Sequence, residues 1–343
     1  MPFFVRTLTF AAAVMLAILT AAQAQTLYVA GYGGSFEQTI RKEIMPAFAK
    51  KFGASVEYIA GNSTDTVAKL QAQRSNQQID VAIVDDGPMY QAIALGFCAP
   101  IVGLPEADIV KAGRYKDDKA VGIGLVATGL MYNTKYFAEK KWPAPTSWND
   151  LKDAKYKKLL VIPPLNNTYG LHTLVMMARM NGGGESNIDP GFKVMVNDVA
   201  PNVLVFEPSP GKMTELFESG QAAIAVWGSG RVSSFAATGF PVDFVYPKEG
   251  ALALLASACP IAKPNASPLA QEFVKMLVEP QFQEIFAREY GYGPVNRRAH
   301  VPQEAARMAP IGQRAEELIV VDWDTINQKR TEWDKRWNRE VER

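Results

Sequence analysis

Short apolar, β-rich runs alternate with amphipathic stretches along most of the chain, and the amphipathic stretches tend to start directly after the apolar ones. Residues 26–30, 55–59 and 80–84 read as strands. The first leads through Gly31-Tyr32-Gly33-Gly34 into a helix over 35–51, with Ser35 and Gln38 at capping-box spacing. The second leads through Asn62-Ser63-Thr64 into a helix reaching about residue 76. The third leads into Asp85-Asp86-Gly87-Pro88 and a further helix, where proline is tolerated in the first turn. Three successive βα units imply a parallel or mixed sheet. A second group of elements follows the Gly-rich apolar run 122–131, a buried strand or crossover. It holds strands at 160–162, 222–227, 242–246 and 252–261 and helices at 169–180, 268–277 and 281–290. A short helix follows Gly228-Ser229-Gly230. No period of 20–50 residues recurs, so the expected class is α/β, arranged as two lobes.

The apolar run from Leu8 to Leu19 is of a different kind. It follows the cationic Arg6 and ends at Ala22-Gln23-Ala24, the three-part pattern of a cleaved secretory signal, and it is too short for a membrane anchor. Residues 1–24 are therefore expected to be removed after Ala24, leaving a soluble, exported chain. Lys plus Arg number 36 against 35 Asp plus Glu, a balance that argues against a nucleic-acid or anionic-membrane partner. Cys98 and Cys259 are the two cysteines. An oxidising compartment favours their pairing, and two buried free thiols are the alternative.

In open α/β sheets a ligand sits beyond the carboxyl ends of the strands, where helix N-termini offer free N–H groups. The loops 32–35, 62–65, 85–88, 166–170 and 227–231 fit that position. Gly33, Gly34, Gly228 and Gly230 would let backbone approach a ligand, and Tyr32, Tyr169 and Trp227 offer flat faces. Each loop taken alone also reads as turn glycines plus a helix cap. The candidate ligand-binding set is Tyr32, Gly33, Gly34, Ser35, Thr64, Asp65, Asp85, Asp86, Thr168, Tyr169, Trp227, Ser229 and Arg231.

Enzyme signatures are sparse. His172 and His300 are the only histidines, and neither lies in a nucleophile motif; His172 reads as a partly buried, hydrogen-bonded helix residue. Ser209-Pro210-Gly211-Lys212 has Ser-x-x-Lys spacing, but Pro-Gly between the pair opposes the helical turn that chemistry requires. No His, Cys and carboxylate cluster has metal-ligand spacing. No catalytic residue, metal or cofactor is expected. A secreted hydrolase using the same cleft is the alternative function.

Taken together, Gly31-Tyr32-Gly33-Gly34, Asp80-Val81-Ala82-Ile83-Val84-Asp85, Pro145-Thr146-Ser147-Trp148-Asn149-Asp150-Leu151, Gly220-Gln221-Ala222-Ala223-Ile224-Ala225-Val226-Trp227, Pro247-Lys248-Glu249-Gly250 and Gly291-Tyr292-Gly293-Pro294-Val295-Asn296 resemble the periplasmic solute-binding proteins of ABC importers. The most similar branch is that of the spermidine/putrescine-binding proteins. The resemblance implies a type II two-lobed fold, each lobe a mixed sheet flanked by helices. β-Strand hinges would lie near 124–129 and 252–258. It further implies a monomer that clamps a small-molecule solute between its lobes and delivers it to an ABC permease and its ATPase at the inner membrane. The first lobe is expected over 25–125 plus 256–300, and the second, with the C-terminal helices, over 126–255 plus 301–343. Trp148, near Pro143 and Pro145, is expected to pack structurally. Trp323, Trp333 and Trp337 are expected as docking contacts of the C-terminal helix rather than ligand platforms.

Tyr32 and Trp227 fall where polyamine-binding relatives place aromatics. Those relatives also hold ammonium groups with acids in stretches that here read Thr168-Tyr169-Gly170-Leu171-His172 and Leu254-Leu255-Ala256-Ser257, where both acids are missing. Burying a dication without paired carboxylates costs several kcal/mol per charge, so a polyamine-like ligand needs Asp65, Asp85, Asp86 or Glu207 as substitutes. Arg231, just after the Trp227 loop, could fork onto a carboxylate or phosphonate with help from Ser229; its other reading is a solvated helix residue. The residues favour an anionic or zwitterionic solute. The adjacent tyrosine pair of iron-binding relatives is absent, which counts against ferric ion.

Overall fold

A computed structural model describes residues 25–342, so the expected signal segment 1–24 lies outside the described residues. The strands are β1 (Thr26–Tyr32), β2 (Ser55–Gly61), β3 (Val81–Asp85), β4 (Val121–Asn133), β5 (Leu160–Ile162), β6 (Val203–Phe206), β7 (Ile224–Gly228), β8 (Val242–Val245) and β9 (Leu252–Pro260). They join in the order β2-β1-β3-β9-β4-β7-β5-β6, with β8 also paired to β4. β1 is parallel to β2 and β3, and β5 is parallel to β6 and β7. β9 runs antiparallel to β3 and β4, and β4 antiparallel to β7 and β8. Each half of the sheet is thus mixed, as βα units closed by a returning strand require.

β4 joins the halves. Its residues Val121–Thr128 pair with β9, and its continuation to Asn133 pairs with β7 and β8. The run is Gly-rich because neighbours fill the space over it: a Cβ on Gly124 would lie 2.3 Å from the Tyr292 ring, and one on Gly129 would lie 2.5 Å from the Val245 carbonyl oxygen. Leu125 and Gly293 exchange backbone hydrogen bonds of 2.7 and 2.8 Å, so the Gly291–Asn296 stretch is stitched onto the crossing strand.

The predicted 35–51 helix is continuous but holds a π-helical segment, Ile40–Ile44, between α-helical Ser35–Thr39 and Met45–Phe52. Its N-cap is Gly34 rather than Ser35, at φ 69°, a left-handed conformation that glycine adopts without strain. The expected capping box is therefore not the device that starts this helix. Among the described residues five α-helices escaped the pattern: Gln303–Ala306, Gln313–Glu316, Thr134–Lys140, Asp189–Val194 and Pro210–Glu218. The last corrects the reading of Pro210-Gly211 as helix-opposing. Proline in the first turn loses no helical hydrogen bond, so Ser209 caps a helix that begins there.

Trp148 is fully buried, as expected, and its indole N–H donates to the Gly250 carbonyl at 2.8 Å while its backbone N–H donates to Glu249 Oε2 at 3.1 Å. The Pro145–Leu151 and Pro247–Gly250 stretches are therefore one packed unit. Cys98 and Cys259 form a disulfide across 161 residues of sequence. Trp333 and Trp337 of the Trp323–Glu340 helix are buried, Trp337 against Phe206. That helix donates from Arg330 to the Leu165 carbonyl at 2.6 Å, from Lys329 to the Ser186 carbonyl at 3.0 Å and from Asn327 to the Gly87 carbonyl at 3.2 Å. Among the described residues no helix is long and apolar enough to cross a membrane.

Candidate functional site

A cleft of about 640 Å³ lies at the carboxyl ends of β1, β3 and β7, floored by Val126 of β4 and Leu254 of β9. Tyr32, Gly33, Thr64 and Asp85 line one wall, and Thr168, Tyr169, Trp227 and Arg231 line the other. This is the position that the alternation of strands and helices predicts, because each strand ends where the next helix presents its unpaired N–H groups.

The first wall is organised around two adjacent acids. Tyr32 donates its hydroxyl to Asp85 Oδ1 at 2.7 Å, Tyr58 donates to the Tyr32 carbonyl at 2.8 Å, and the Asp85 N–H donates to Ser63 Oγ at 3.1 Å. Burial raises the Asp85 carboxyl above the usual range despite the hydroxyls of Tyr32 and Ser63 and the charge of Arg231. Asp86 lies deeper, buried beside Trp323 and the Gly87 N–H. Burial and the neighbouring Asp85 charge push it up to about 8.

These shifts set a pH dependence. A carboxyl with an ordinary value of 3.8 held at about 8 keeps a proton in the fold that the unfolded chain has released. Its stabilising contribution is complete below about pH 4 and is lost as pH rises through 8. His172 works in the opposite sense. Burial, with Arg330 and Arg179 adding, lowers it from 6.5 to about 3, so it costs stability only below pH 6.5, where the unfolded imidazole is charged. The two effects oppose each other between about pH 4 and 6.5, and Asp86 acts alone of the pair above that. Stability should therefore fall from pH 6.5 to 8 by up to about 2 kcal/mol. Urea melts across that range should show the decline, and Asp86→Asn should flatten it; a flat profile in the unmodified protein would count against a protonated Asp86.

On the second wall, Asn167 caps the Thr168–Arg179 helix by accepting the Tyr169 N–H at 3.0 Å, and the Tyr169 and Trp227 rings meet at 5.0 Å. Burial pushes the Tyr169 hydroxyl up to about 12 while the adjacent Arg231 charge draws it down. Arg231 is exposed to the cleft and pairs with no carboxylate among the described residues. Gly230 lines the cleft and Gly228 does not. The space a Cβ would take is filled at Gly228 by the Tyr169 hydroxyl at 2.2 Å and at Gly230 by the Tyr290 carbonyl oxygen at 2.3 Å.

Several expected site residues do not line the cleft. Gly34 and Asp65 are exposed outside it, and Asp86 sits behind Asp85. Ser229 is buried and accepts the Ala127 N–H at 3.1 Å, so its hydroxyl anchors the crossing strand instead of a ligand. Glu207 accepts the Ser209 N–H at 2.7 Å, also away from the lining, which leaves Asp85 as the one of the four expected substitute acids that lines the cleft. His172 is fully buried rather than partly so, with Nδ1 2.8 Å from Thr128 Oγ1. Ser209 accepts its N–H bond from Lys212 while the Lys212 ammonium pairs with Glu215 at 2.7 Å, so the Ser-x-x-Lys pair forms no catalytic couple.

Other lining residues carried no local signal. Tyr292 and Tyr290 reach the cleft, as do Trp323, Asn327, Arg330 and Asp334 of the C-terminal helix. Trp323 therefore differs from expectation: it docks on Gly87 and also forms cleft wall.

The architecture defines a class. A crystal structure of an ABC transporter protein from Clostridium perfringens aligns with a TM-score of 0.79 at 20% identity, covering 92% of this chain and 99% of the other. A periplasmic binding protein of Actinobacillus pleuropneumoniae, solved with exogenous fructose-6-phosphate bound, aligns at 0.76 and 18% identity, covering 93% and 99%. At such identities the likeness is one of fold, the two-lobed type II binding-protein fold. The pattern that defines the bacterial extracellular solute-binding protein family matches residues 43–309, and the chain belongs to that family. A periplasmic protein of Salmonella typhimurium named for 2-aminoethylphosphonate binding is 29% identical over 189 residues, 52% of this chain and 50% of the relative. The chain thus spans about half the length of the curated relatives it matches.

Proposed function

We propose that this protein is the periplasmic solute-binding component of an ABC importer and that its solute is a small zwitterion or anion of the phosphonate or phosphate class. The observation that carries the reading is Arg231, a guanidinium without a carboxylate partner, in a cleft whose other wall presents Asp85. A phosphonate would take the guanidinium fork and the N–H groups at the start of the Thr168–Arg179 helix; an amine would take Asp85. The similarity to a relative named for 2-aminoethylphosphonate supports that pairing. A standard polyamine is disfavoured because residues 168–172 and 254–257 carry no acid.

The lobes would be 25–125 plus 256–300 and 126–255 plus 301–343, closing about the β4–β9 pair at 124–129 and 252–258. The exported, monomeric protein would release its solute unchanged to a permease driven by an ATPase. No arrangement of Ser, His or Lys in the cleft supports the hydrolase alternative.

Thermal unfolding with added 2-aminoethylphosphonate, putrescine, spermidine and ferric citrate tests this. A ligand at a hundredfold excess over its dissociation constant adds about 2.7 kcal/mol of stability. The phosphonate should raise the midpoint and the polyamines should not; the reverse order would defeat the proposal.

A further inference from the structure

Trp323, Asn327, Arg330 and Asp334 stand at i, i+4, i+7 and i+11 on the C-terminal helix, the spacing of one helical face, and all four line the cleft. Their polar atoms are incompletely partnered. Asp334 Oδ1 is buried without a hydrogen bond, and its nearest cation, Arg330 Nε, lies at 3.5 Å, beyond normal hydrogen-bond length. The Trp323 indole N–H is turned toward the buried Asp86 carboxylate and the residue is only 3% exposed, so Trp323 shapes the wall without offering a donor to the cleft. Arg330 spends one nitrogen on the Leu165 carbonyl and is mostly covered.

The chemistry of this face differs from that of the Arg231 wall. An arginine beside an aspartate is neutral overall, so it selects neither an anion nor an ammonium. A group that donates and accepts at once satisfies both members, and a hydroxyl does so by donating to the carboxylate while accepting from the guanidinium. Space permits it: at roughly 30 Å³ per water molecule, 640 Å³ is about twenty waters' worth, well beyond a two-carbon phosphonate. We propose that Arg330 and Asp334 form a second subsite that takes hydroxyl groups, so that the preferred solute is a phosphate or phosphonate on a hydroxyl-bearing carbon chain. This rests on the reading of Arg231 as the anion anchor and assigns the other end of the same cleft.

Calorimetry with glycerol 3-phosphate and propyl phosphate, which share chain length and charge and differ in hydroxyls, tests it. The unmodified protein should favour glycerol 3-phosphate by about tenfold or more, the worth of one or two hydrogen bonds. Asp334→Asn should reduce that preference to about threefold or less and leave propyl phosphate affinity within about twofold, which a merely structural defect would not do. Where Asp334→Asn does not fold, Arg330→Gln, which removes the guanidinium and its fork of donors, carries the same comparison. Equal affinities in the unmodified protein, or full preference retained by a folded Asp334→Asn, overturn the subsite and leave the anion anchor standing. Failure of both phosphates to bind, with Arg231→Ala equally silent, overturns both.

Discussion

Arg231→Ala should weaken 2-aminoethylphosphonate binding by about 2–3 kcal/mol, roughly 30- to 150-fold in dissociation constant. The size follows from the loss of a charge-assisted fork that no other cation in the cleft replaces from the same wall, since Arg330 stands on the C-terminal helix beside Asp334. Ethylphosphonate, which lacks the amine, should lose the same factor, because the guanidinium addresses only the phosphonate. Asp85→Asn should behave differently, weakening the amino compound by about tenfold or more while leaving ethylphosphonate nearly untouched. Calorimetry on the four combinations separates the two contacts. Loss of discrimination between the ligands in Arg231→Ala, or unchanged affinity for both, would remove Arg231 from the anion contact. Arg231 lies on an exposed helix surface, so its replacement should not lower the melting temperature appreciably.

The second large effect concerns stability. Replacing Cys98 and Cys259 together by serine opens a loop closed across 161 residues. The chain-entropy account assigns such a closure about 5 kcal/mol, and measured losses of native disulfides run at about 2–5 kcal/mol. A drop of roughly 5–10 °C in melting temperature is expected for a chain of this length. The folded state itself should change little. Ala99 keeps its 2.9 Å backbone bond to the Pro260 carbonyl, and neither cysteine lines the cleft, so solute affinity should stay the same. A reduced protein that melts with the oxidised one would show that the bridge adds nothing to stability.

Much of the fold was legible because its signals are local. The strand-to-helix alternation places Tyr32, Thr64, Asp85, Thr168 and Trp227 at strand ends or helix starts, and the cleft assembles around them. The errors at single residues have non-local causes. Ser229 has the residue type of a ligand-binding serine, yet its hydroxyl is spent on the Ala127 amide. Gly228 looks like a ligand-approach glycine, yet the Tyr169 hydroxyl occupies the space. In each case the competing partner comes from a distant segment, and spacing along the chain carries no information about it.

The C-terminal helix marks the same boundary most clearly. Its buried Trp333 and Trp337 were readable as docking contacts. That Trp323, Asn327, Arg330 and Asp334 form cleft wall was not, because it depends on how an 18-residue helix lies across Leu165 and Gly87. The sequence by itself determined most of the element order, the two α/β halves and the balance of charge, since all of these follow from residue type and local periodicity. Only the tertiary structure decided which polar groups are already satisfied by protein and which, like Arg231, Asp85 and Asp334, still face the cleft, because hydrogen bonding and burial are settled between segments that meet only when the chain has folded.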